Sequence, residues 1–352
     1  MATSPGRHHV TLDGSSGEGG GQILRSGLTL SLLTGLPVTF ENIRANRDRP
    51  GLRPQHLKAV EVAAQIGQAR TDGAKIGSRS LTFRPGTIAT GDLQVDIGTA
   101  GSTALVLQAV HLALALRATS AVRLTLTGGT FNTQAPSFPF LDSTWKAHLA
   151  ALGMPLGLAM PAAGFYPEGG GQLDAWIEPA SPRPIVQETR GALTRIRGVA
   201  GVTNLDPGIA ARMRDRAANR LARRGLDADL AVALWDGPGH GAAIALVAEY
   251  EGVTVPVTFV GLGQRGKPAE AVADDAVAEL LDYHDAPNGA IDPHSADQLL
   301  LPLAFADGPS RFSVSRVTEH LRTNVATIHA FLDRPIRIEE STEGPHGRVF
   351  ID

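Results

Sequence analysis

The chain of 352 residues contains no cysteine, and only 5% of its residues are aromatic. Without cysteine it can form no disulfide bond, no thiolate metal site and no cysteine nucleophile. Lysine is also scarce, and arginine supplies most of the positive charge. The net charge of -3 provides no global basic field for nucleic acid. A site for a polyanion would therefore have to be local.

The sequence also lacks long apolar segments. Its first residues do not show the charged flank and apolar stretch of a signal peptide. The longest apolar runs are too short to span a bilayer. We therefore expect a soluble, cytoplasmic protein.

Glycine, proline and apolar residues are plentiful. Hydrophobic residues make up 43% of the chain, with 40 glycines and 23 prolines. This composition supports a large core built from many short elements and turns. The length predicts about two domains.

A glycine-rich stretch, GEGGGQILRS at 17–26, precedes the apolar pattern of a helix. Glycines let backbone N–H groups approach a ligand closely. The helix N-terminus favours an anion, and Arg25 could add a bidentate clamp. Glu18 would repel phosphate unless a divalent cation lay between them. The stretch therefore indicates a metal-and-phosphate site, although a tight strand-to-helix turn would use the same glycines.

A second copy of the glycine core limits that interpretation. The sequence EGGGQ recurs at 168–172, where Leu173, Ala175 and Ile177 alternate as in a strand. The glycines alone therefore do not make a phosphate site. The helix after the first copy, and the Arg25 that it carries, distinguish the two.

The order of predicted elements recurs three times along the chain. Helix, strand, loop, helix and strands follow one another up to residue 86, again to about residue 177, and again from His294. Within the first unit we also expect a short strand near Ile76, and within the second unit a single helix near residues 140–152. We infer three structural repeats of about 70–90 residues. The predicted fold is α/β (α+β), with three βαβαββ-type repeats around a pseudo-threefold axis and a small α/β insert domain between repeats two and three.

The insert has its own pattern of two helices and about four strands. We therefore expect a large domain of residues 1–183 and 287–352, and an insert of residues 184–286. The first helix of the insert carries several arginines, which are Arg212, Arg214, Arg216, Arg220, Arg223 and Arg224. This face could contact RNA, but a solvated face is the favoured interpretation.

The unusual polar loops all lie just before helices. Five helix N-termini could therefore converge if the repeats pack together, and such ends collect anions. The loop at 44–56 holds four arginines and one aspartate among prolines and glycine, which suits phosphate or an RNA backbone. The loop at 128–136 and the segment at 294–298 could enclose a base. In the latter, a helix cap by Ser295 or Asp297 is the simpler expectation.

His320 lies at or just before a predicted helix start, with Thr318 or Thr323 as the N-cap. A positive helix end disfavours the imidazolium form. A neutral imidazole can act as a general base or a nucleophile. A structural histidine is the alternative at this point.

Taken together, the motifs make the chain resemble the RNA 3′-terminal phosphate cyclase family over nearly its whole length. The motifs that carry the resemblance are GEGGGQILRS at 17–26, IRANR at 43–47, RPGLRPQHL at 49–57, FRPG at 83–86, GTAGS at 98–102, GGT at 128–130, GFYPEGGG at 164–171, ADQL at 296–299 and HLRTN at 320–324. No single one of them is specific, but their combination in this order is.

The resemblance implies a fold and a reaction. The fold has three similar α/β repeats, shared in outline with carboxyvinyl transferases, plus a small insert. The reaction uses ATP and a divalent metal, Mg²⁺ or Mn²⁺, to convert a 3′-terminal phosphate of RNA into a 2′,3′-cyclic phosphate. A histidyl-AMP forms first, AMP then passes to the RNA phosphate, and the neighbouring 2′-hydroxyl expels AMP.

The resemblance also implies roles for individual residues. His320 is the expected nucleophile, and Glu18 is the expected metal carboxylate, with Arg25 and Arg44 as further catalytic residues. The residues expected to contact the RNA phosphate are Arg44, Arg47, Gln55 and His56. The residues expected to bind the nucleotide are Gln108, Pro136, His294, Asp297 and Gln298. His294 stands where bacterial members of the family carry a tyrosine, and Phe131 replaces a polar residue.

Three other functions fit the sequence less well. A non-catalytic paralogue acting in ribosome assembly would have lost His320, Glu18, Arg25 and Arg44, all of which are present. A carboxyvinyl transferase should not retain the motif at 320–324. A plain RNA-binding module does not fit the net charge of -3. The sequence does not indicate an oligomeric state.

Overall fold

The computed structural model describes residues 8–17, 20–89, 91–286 and 288–352. The described strands form four four-stranded sheets that are covered by helices. This mixed α/β architecture confirms the predicted fold class. Within the described ranges, no helix combines the length and the apolar character needed to cross a membrane.

Three of the sheets share one topology. The strands of the first are β1 (Val10–Asp13), β2 (Val38–Glu41), β3 (Arg70–Asp72) and β4 (Leu81–Arg84). Those of the second are β5 (Leu93–Asp96), β6 (Val122–Gly128), β7 (Leu156–Ala162) and β8 (Gly171–Ile177). Those of the third are β9 (Val186–Gln187), β14 (Ser310–Val314), β15 (Ile336–Glu340) and β16 (Gly347–Ile351). In each sheet the first two strands are parallel, and the fourth lies between the second and third, antiparallel to both.

Helices follow the first and second strands of each of these sheets. They are α1 (Gln22–Thr34) and α2 (Pro54–Ile66), then α3 (Thr103–Arg117), α4 (Phe138–Phe140) and α5 (Lys146–Ala151), and finally α8 (Pro293–Ala304) and α9 (Glu319–Phe331). Helix α1 ends at Gly35, whose left-handed conformation (φ 75°) lets its N–H bond the carbonyl of Ser31. Helix α1 contacts both α3 and α9, so one continuous apolar core joins the three units.

The fourth sheet lies within the chain of the third unit. Its elements are β10 (Leu193–Thr203), α6 (Pro207–Ala222), β11 (Asp229–Leu234), β12 (Gly241–Tyr250), β13 (Val257–Leu262) and α7 (Ala269–Asp285). They enclose a second apolar core. The strand β9 precedes this segment, yet it pairs with β14 in the third sheet. The division of the chain into two domains at residues 184 and 286 stays a prediction, and β9 lies on the insert side of that division.

Two local predictions were wrong. The segment around Ile76 is a turn, and the strand of that region is β3, because Gly73 and Gly77 both adopt positive φ values that interrupt an extended run. The single helix expected near 140–152 is divided, since a π-helical segment, Leu141–Trp145, separates α4 from α5. A π-segment places an extra residue in the helical turn without changing the apolar pattern that predicted a helix.

The arginines of α6 lie on an exposed or half-exposed face, as the solvated interpretation predicts, and several of them also pair with carboxylates of α7. Arg216 forms two hydrogen bonds with Asp274 on α7, of 2.8 and 2.9 Å, and Arg220 donates to the same carboxylate at 3.1 Å. Arg224 pairs with Asp285 at the end of α7. These residues therefore hold α6 and α7 together.

Candidate active site

A cavity of about 720 Å³ lies where the N-terminal ends of α1, α2, α3, α4, α8 and α9 meet. It is lined by eleven of the twelve residues expected to form the site. They are Arg25, Arg44, Arg47, Gln55, His56, Gln108, Pro136, His294, Asp297, Gln298 and His320. The twelfth, Glu18, lies outside the described residues. The predicted convergence of helix N-termini is therefore observed, and it gives the cavity a preference for anions.

Gly21 brings the backbone close to two of the site side chains. A Cβ atom at this position would lie 2.6 Å from Nε2 of His56 and 2.8 Å from Nη1 of Arg25. Gly21 is also the N-cap residue of α1. Only glycine lets the start of this helix pack against both groups.

Three arginines supply positive charge to this side of the cavity. Burial lowers the pKa of Arg25 to about 10, although the carboxylate of Asp297 opposes that shift, so Arg25 is charged at neutral pH. Arg44 donates to the carbonyls of Arg49 and Gly51, at 2.7 and 3.1 Å, which fixes its side chain within its own loop. Arg47 reaches toward Gly20, at the end of the glycine stretch. The arrangement suits a polyphosphate.

His56 is buried and neutral. Burial, together with the charges of Arg25, Arg44 and Arg53, lowers its pKa to about 3. Its Nδ1 accepts the N–H of Arg53 at 3.3 Å, so Nε2 carries the proton in the neutral ring. His56 can therefore offer a ligand a hydrogen-bond donor but no positive charge.

His320 occupies the first turn of α9. Thr318 caps this helix by accepting the N–H of Leu321 at 3.1 Å, which selects Thr318 from the two expected caps. The Nδ1 of His320 is hydrogen-bonded to Oε1 of Gln22, at the start of α1. The expectation that His320 lies at a positive helix end is thus confirmed.

Asp297 faces the same region from α8. Burial raises its pKa to about 7, and the nearby Asp292 adds to that effect, while His294 and Arg25 oppose it. Its Oδ2 accepts the side-chain N–H of Gln22 at 3.3 Å. Its carboxylate and the guanidinium of Arg25 therefore lie near enough for each to stabilise the charge of the other.

The opposite side of the cavity is less charged. Gln108 donates to Gln298, which in turn donates to the carbonyl of His294 at 2.9 Å. Pro136, in the loop before α4, and His294, at the start of α8, line this part. Helix α8 is capped by Asp292, which accepts the N–H groups of His294 and Ser295 at 3.0 Å each. The expected cap by Ser295 or Asp297 was therefore wrong, because Asp292 precedes the proline that begins the helix.

Several buried polar atoms that line the cavity lack a partner among the described residues. They are Oδ1 of Asn132, Oγ of Ser137 and Oδ1 of Asp297. A buried polar atom without a partner costs free energy, so such atoms are commonly satisfied by a ligand or water. Their grouping around one cavity indicates a polar ligand.

Sequence reasoning missed some residues of the site. Gln22 was seen only as part of the glycine motif, yet it links His320 to Asp297. The fourth sheet and its helix also contribute a wall, made of Thr258, Val260, Leu262 and Glu279. Nothing in the spacing of those four residues points to a site, because only the packing of β13 and α7 brings them there.

Phe131 has a structural explanation. Its ring stacks on Phe165 with centroids 4.6 Å apart and on Trp235 at 4.9 Å. Trp235 follows β11, so this cluster attaches the fourth sheet beside the cavity loop at 128–136. An aromatic residue is favoured here by packing rather than by ligand chemistry.

Comparisons with known proteins agree on one family. A family model described as RNA 3′-terminal phosphate cyclase matches residues 16–338. The chain is 42% identical to the RNA 3′-terminal phosphate cyclase of Ralstonia nicotianae, over 97% of each chain. It is 44% identical to the protein of the same name from Pseudomonas fluorescens over 94% of each chain, and 40% identical to that of Pyrobaculum aerophilum over 97% of each.

Proposed function

Because the chain belongs to the RNA 3′-terminal phosphate cyclase family, we propose that it converts an RNA 3′-terminal phosphate into a 2′,3′-cyclic phosphodiester at the expense of ATP. The observation that carries this proposal is the meeting of His320, Arg25, Arg44 and Arg47 in one cavity formed by helix N-termini. Nucleotidyl transfer needs a positioned nucleophile and strong charge neutralisation on the phosphates, and these residues offer both.

In the first step, Nε2 of His320 attacks the α-phosphorus of ATP, and the bond to pyrophosphate breaks. The product is a phosphoramidate between the ring and AMP. The hydrogen bond between Nδ1 and Gln22 is compatible with this step, because a ring protonated on Nδ1 carries its lone pair on Nε2.

In the second step, an oxygen of the RNA 3′-phosphate attacks the same phosphorus and releases the histidine. The resulting anhydride is then opened by the vicinal 2′-hydroxyl, which forms the cyclic phosphate and expels AMP. We assign Arg44, Arg47, Gln55 and His56 to the incoming RNA phosphate because they line one side of the cavity.

The nucleotide would lie on the less charged side. Pro136 and His294 could hold the adenine ring between them, with Gln108, Asp297 and Gln298 around the nucleoside. The unpartnered oxygens of Asp297 and Asn132 lie on cavity-lining residues and could accept N–H or O–H groups of the ligand.

We further propose that the reaction requires a divalent metal held by Glu18. The described residues contain no group of three His, Asp or Glu side chains suited to a metal. A metal at this site would therefore depend on Glu18 and on phosphate oxygens of ATP. When bound, it would neutralise charge on the triphosphate.

The first test is formation of the covalent intermediate. Incubation with α-labelled ATP and Mg²⁺ or Mn²⁺ should give an acid-labile protein–AMP adduct, which His320→Ala should lose completely. His240→Ala is the matched control, because His240 is exposed and does not line the cavity. A wild-type level of adduct in His320→Ala would exclude His320 as the nucleophile.

The second test follows the adduct to product. Isolated protein–AMP is chased with RNA that ends in a 3′-phosphate, and the RNA termini are scored for a cyclic phosphate. We expect loss of labelled AMP from the protein together with phosphatase-resistant RNA ends. An adduct that survives the chase unchanged would contradict the transfer of AMP to an RNA 3′-phosphate.

A further inference from the structure

The side-chain amide of Gln22 bridges the expected nucleophile and an acidic residue. Its Oε1 is hydrogen-bonded to Nδ1 of His320, and its Nε2 donates to Oδ2 of Asp297 at 3.3 Å. Gln22 and His320 lie in the first turns of α1 and α9, and Asp297 is the fifth residue of α8. Gln22 and His320 are 298 positions apart in sequence, so only the tertiary fold brings these groups together.

The chemistry of the three groups fixes the direction of each hydrogen bond. When Asp297 is ionised, its carboxylate can only accept, so the NH₂ group of Gln22 faces Asp297, as observed. The amide oxygen then faces His320, and Nδ1 must carry the ring proton. With the amide turned over, its oxygen would meet the carboxylate oxygen, and its NH₂ would require a lone pair on Nδ1.

The backbone around this bridge is held by two further hydrogen bonds. Asn324 donates to the carbonyl of Asp297 at 2.8 Å and accepts the hydroxyl of Ser26 at 2.7 Å. Both Ser26 and Asn324 are buried. Helices α1, α8 and α9 are therefore fixed relative to one another within one turn of the three bridging residues.

We propose that Gln22 is a positioning residue that sets His320 in the tautomer with the proton on Nδ1, and that Asp297 holds the Gln22 amide in the required orientation. This places the lone pair on Nε2, the nitrogen that must attack. The opposite tautomer would present an N–H to the phosphorus. The catalytic meaning of the inference rests on the proposed function, but the tautomer itself does not.

The tautomer can be measured without any reaction. In protein labelled with ¹⁵N on the histidine rings, the His320 signals are identified by their loss in His320→Ala. We expect a protonated Nδ1 and an unprotonated Nε2 in the wild type at about pH 8.5, where Asp297, whose pKa is raised to about 7, is ionised. A protonated Nε2 in the wild type overturns the inference, whether or not the protein reacts with ATP.

The effect on the reaction is tested by removing the acceptor. Gln22→Leu should slow single-turnover adenylation at saturating ATP by about 10- to 100-fold, a range usual for losing a proton-positioning group. The ATP concentration for half-maximal rate should change little, and the Nδ1 protonation of His320 should be lost. Gln172→Leu on β8 is the matched control, because Gln172 also donates to an aspartate, Asp174, at 3.0 Å.

A swap of the two partners tests the role of Asp297. In the double variant Gln22→Glu with Asp297→Asn, the glutamate accepts from His320, and the asparagine donates to the glutamate. The adenylation rate of this double variant should be within about threefold of the rate of Asp297→Asn alone. Gln22→Glu alone places two carboxylates together, and its adenylation rate should be at least about tenfold lower than that of Asp297→Asn.

The outcomes separate the inference from the proposed function. A wild-type adenylation rate in Gln22→Leu, with thermal unfolding unchanged, would rule out positioning by Gln22. Failure of the double variant to exceed Gln22→Glu would remove Asp297 from the arrangement. Absence of adduct from the wild type would refute the proposed function, and the ring-nitrogen measurement would still decide the tautomer.

Discussion

At position 21, the absence of a side chain is what the site requires. Gly21 lies where a methyl group would overlap both His56 and Arg25. Its neighbour Gly20 is less restricted, because a Cβ there would lie 3.1 Å from the end of the flexible Arg47 side chain. Two adjacent glycines of one motif therefore differ in whether the structure has room for a larger residue at their position.

We expect Gly21→Ala to reduce adenylation by at least about tenfold, because His56 and Arg25 must both move by more than a few tenths of an ångström. Gly20→Ala should stay within about threefold of the wild type. Single-turnover adenylation, together with thermal unfolding of both variants, measures the difference. Equal effects of the two substitutions would show that the close approach of Gly21 is not used.

Residue by residue, the sequence was informative where a charge or a helix start was conspicuous. The arginine-rich loop at 44–56 and His320 beside Thr318 could be recognised for this reason. Gln22 could not, because a glutamine at a helix start is unremarkable until its partners 275 and 298 positions away are known. The sequence does not show which groups a neutral side chain will hydrogen-bond in the folded protein.

At the scale of elements, the arginines of α6 show what a charge pattern in the sequence leaves out, namely the partners of each charge. Their spacing fitted a solvated face, yet Asp274 of α7 receives both Arg216 and Arg220. The pKa of Asp274 is lowered chiefly by its hydrogen bond with Arg216. The pairing joins two helices that both cover the fourth sheet.

We predict that Asp274→Ala lowers the free energy of unfolding by about 1–2 kcal/mol, since a two-pronged, half-buried pair between helices exceeds an ordinary surface pair. Asp215→Ala is the control, because Asp215 pairs with its exposed neighbour Arg214 on the same helix and should contribute about 0–0.5 kcal/mol. Urea unfolding measures both. A loss no larger for Asp274 than for Asp215 would mean that the pairs are equivalent.

Helices and strands were largely predictable from apolar periodicity and from turn residues. The exceptions have physical causes. The π-segment of Leu141–Trp145 keeps the same apolar residues as a regular helix would. The cap of α8 was misplaced because Asp292 lies before Pro293, outside the apolar pattern. The two-residue strand β9 is too short to show any alternation.

At the scale of the molecule, the repeated order of elements predicted three similar units, and three sheets of identical topology are observed. The wall that the fourth sheet adds to the cavity was not predictable. It depends on how β13 packs against α4 and the π-helical segment that follows it. Such contacts between distant segments are not encoded in local periodicity.

Buried histidines should make the whole fold sensitive to acid. Burial lowers the pKa of His56 to about 3 and those of His111 and His148 to about 4. Each pKa is depressed by folding, so the stability that these residues contribute is present above about pH 6.5 and is lost as the pH falls. Asp297 has the opposite effect on the pH dependence. Its pKa is raised by folding, so the stability that it contributes is present at low pH and is lost as the pH rises.

Between pH 6 and pH 5 the unfolded chain should therefore bind about two more protons than the folded one from these groups. The free energy of unfolding should fall by about 2–3 kcal/mol when the pH is lowered from 6 to 5. His111→Gln should reduce the slope by about 1.4 kcal/mol per pH unit, whereas exposed His240→Gln should leave it unchanged. Urea unfolding at several pH values provides the slope, and an identical slope in His111→Gln would contradict the prediction.

The bridge between Gln22 and His320 spans 298 positions of the chain. During synthesis on a ribosome, the arginine-rich loop and the glycine stretch emerge long before the helix that carries the nucleophile. A growing chain cannot become adenylated until α9 has left the exit tunnel and docked. The ability to become adenylated would therefore show that the fold is complete. A protein cleaved anywhere between α1 and α9 should be adenylated only if its two pieces remain associated.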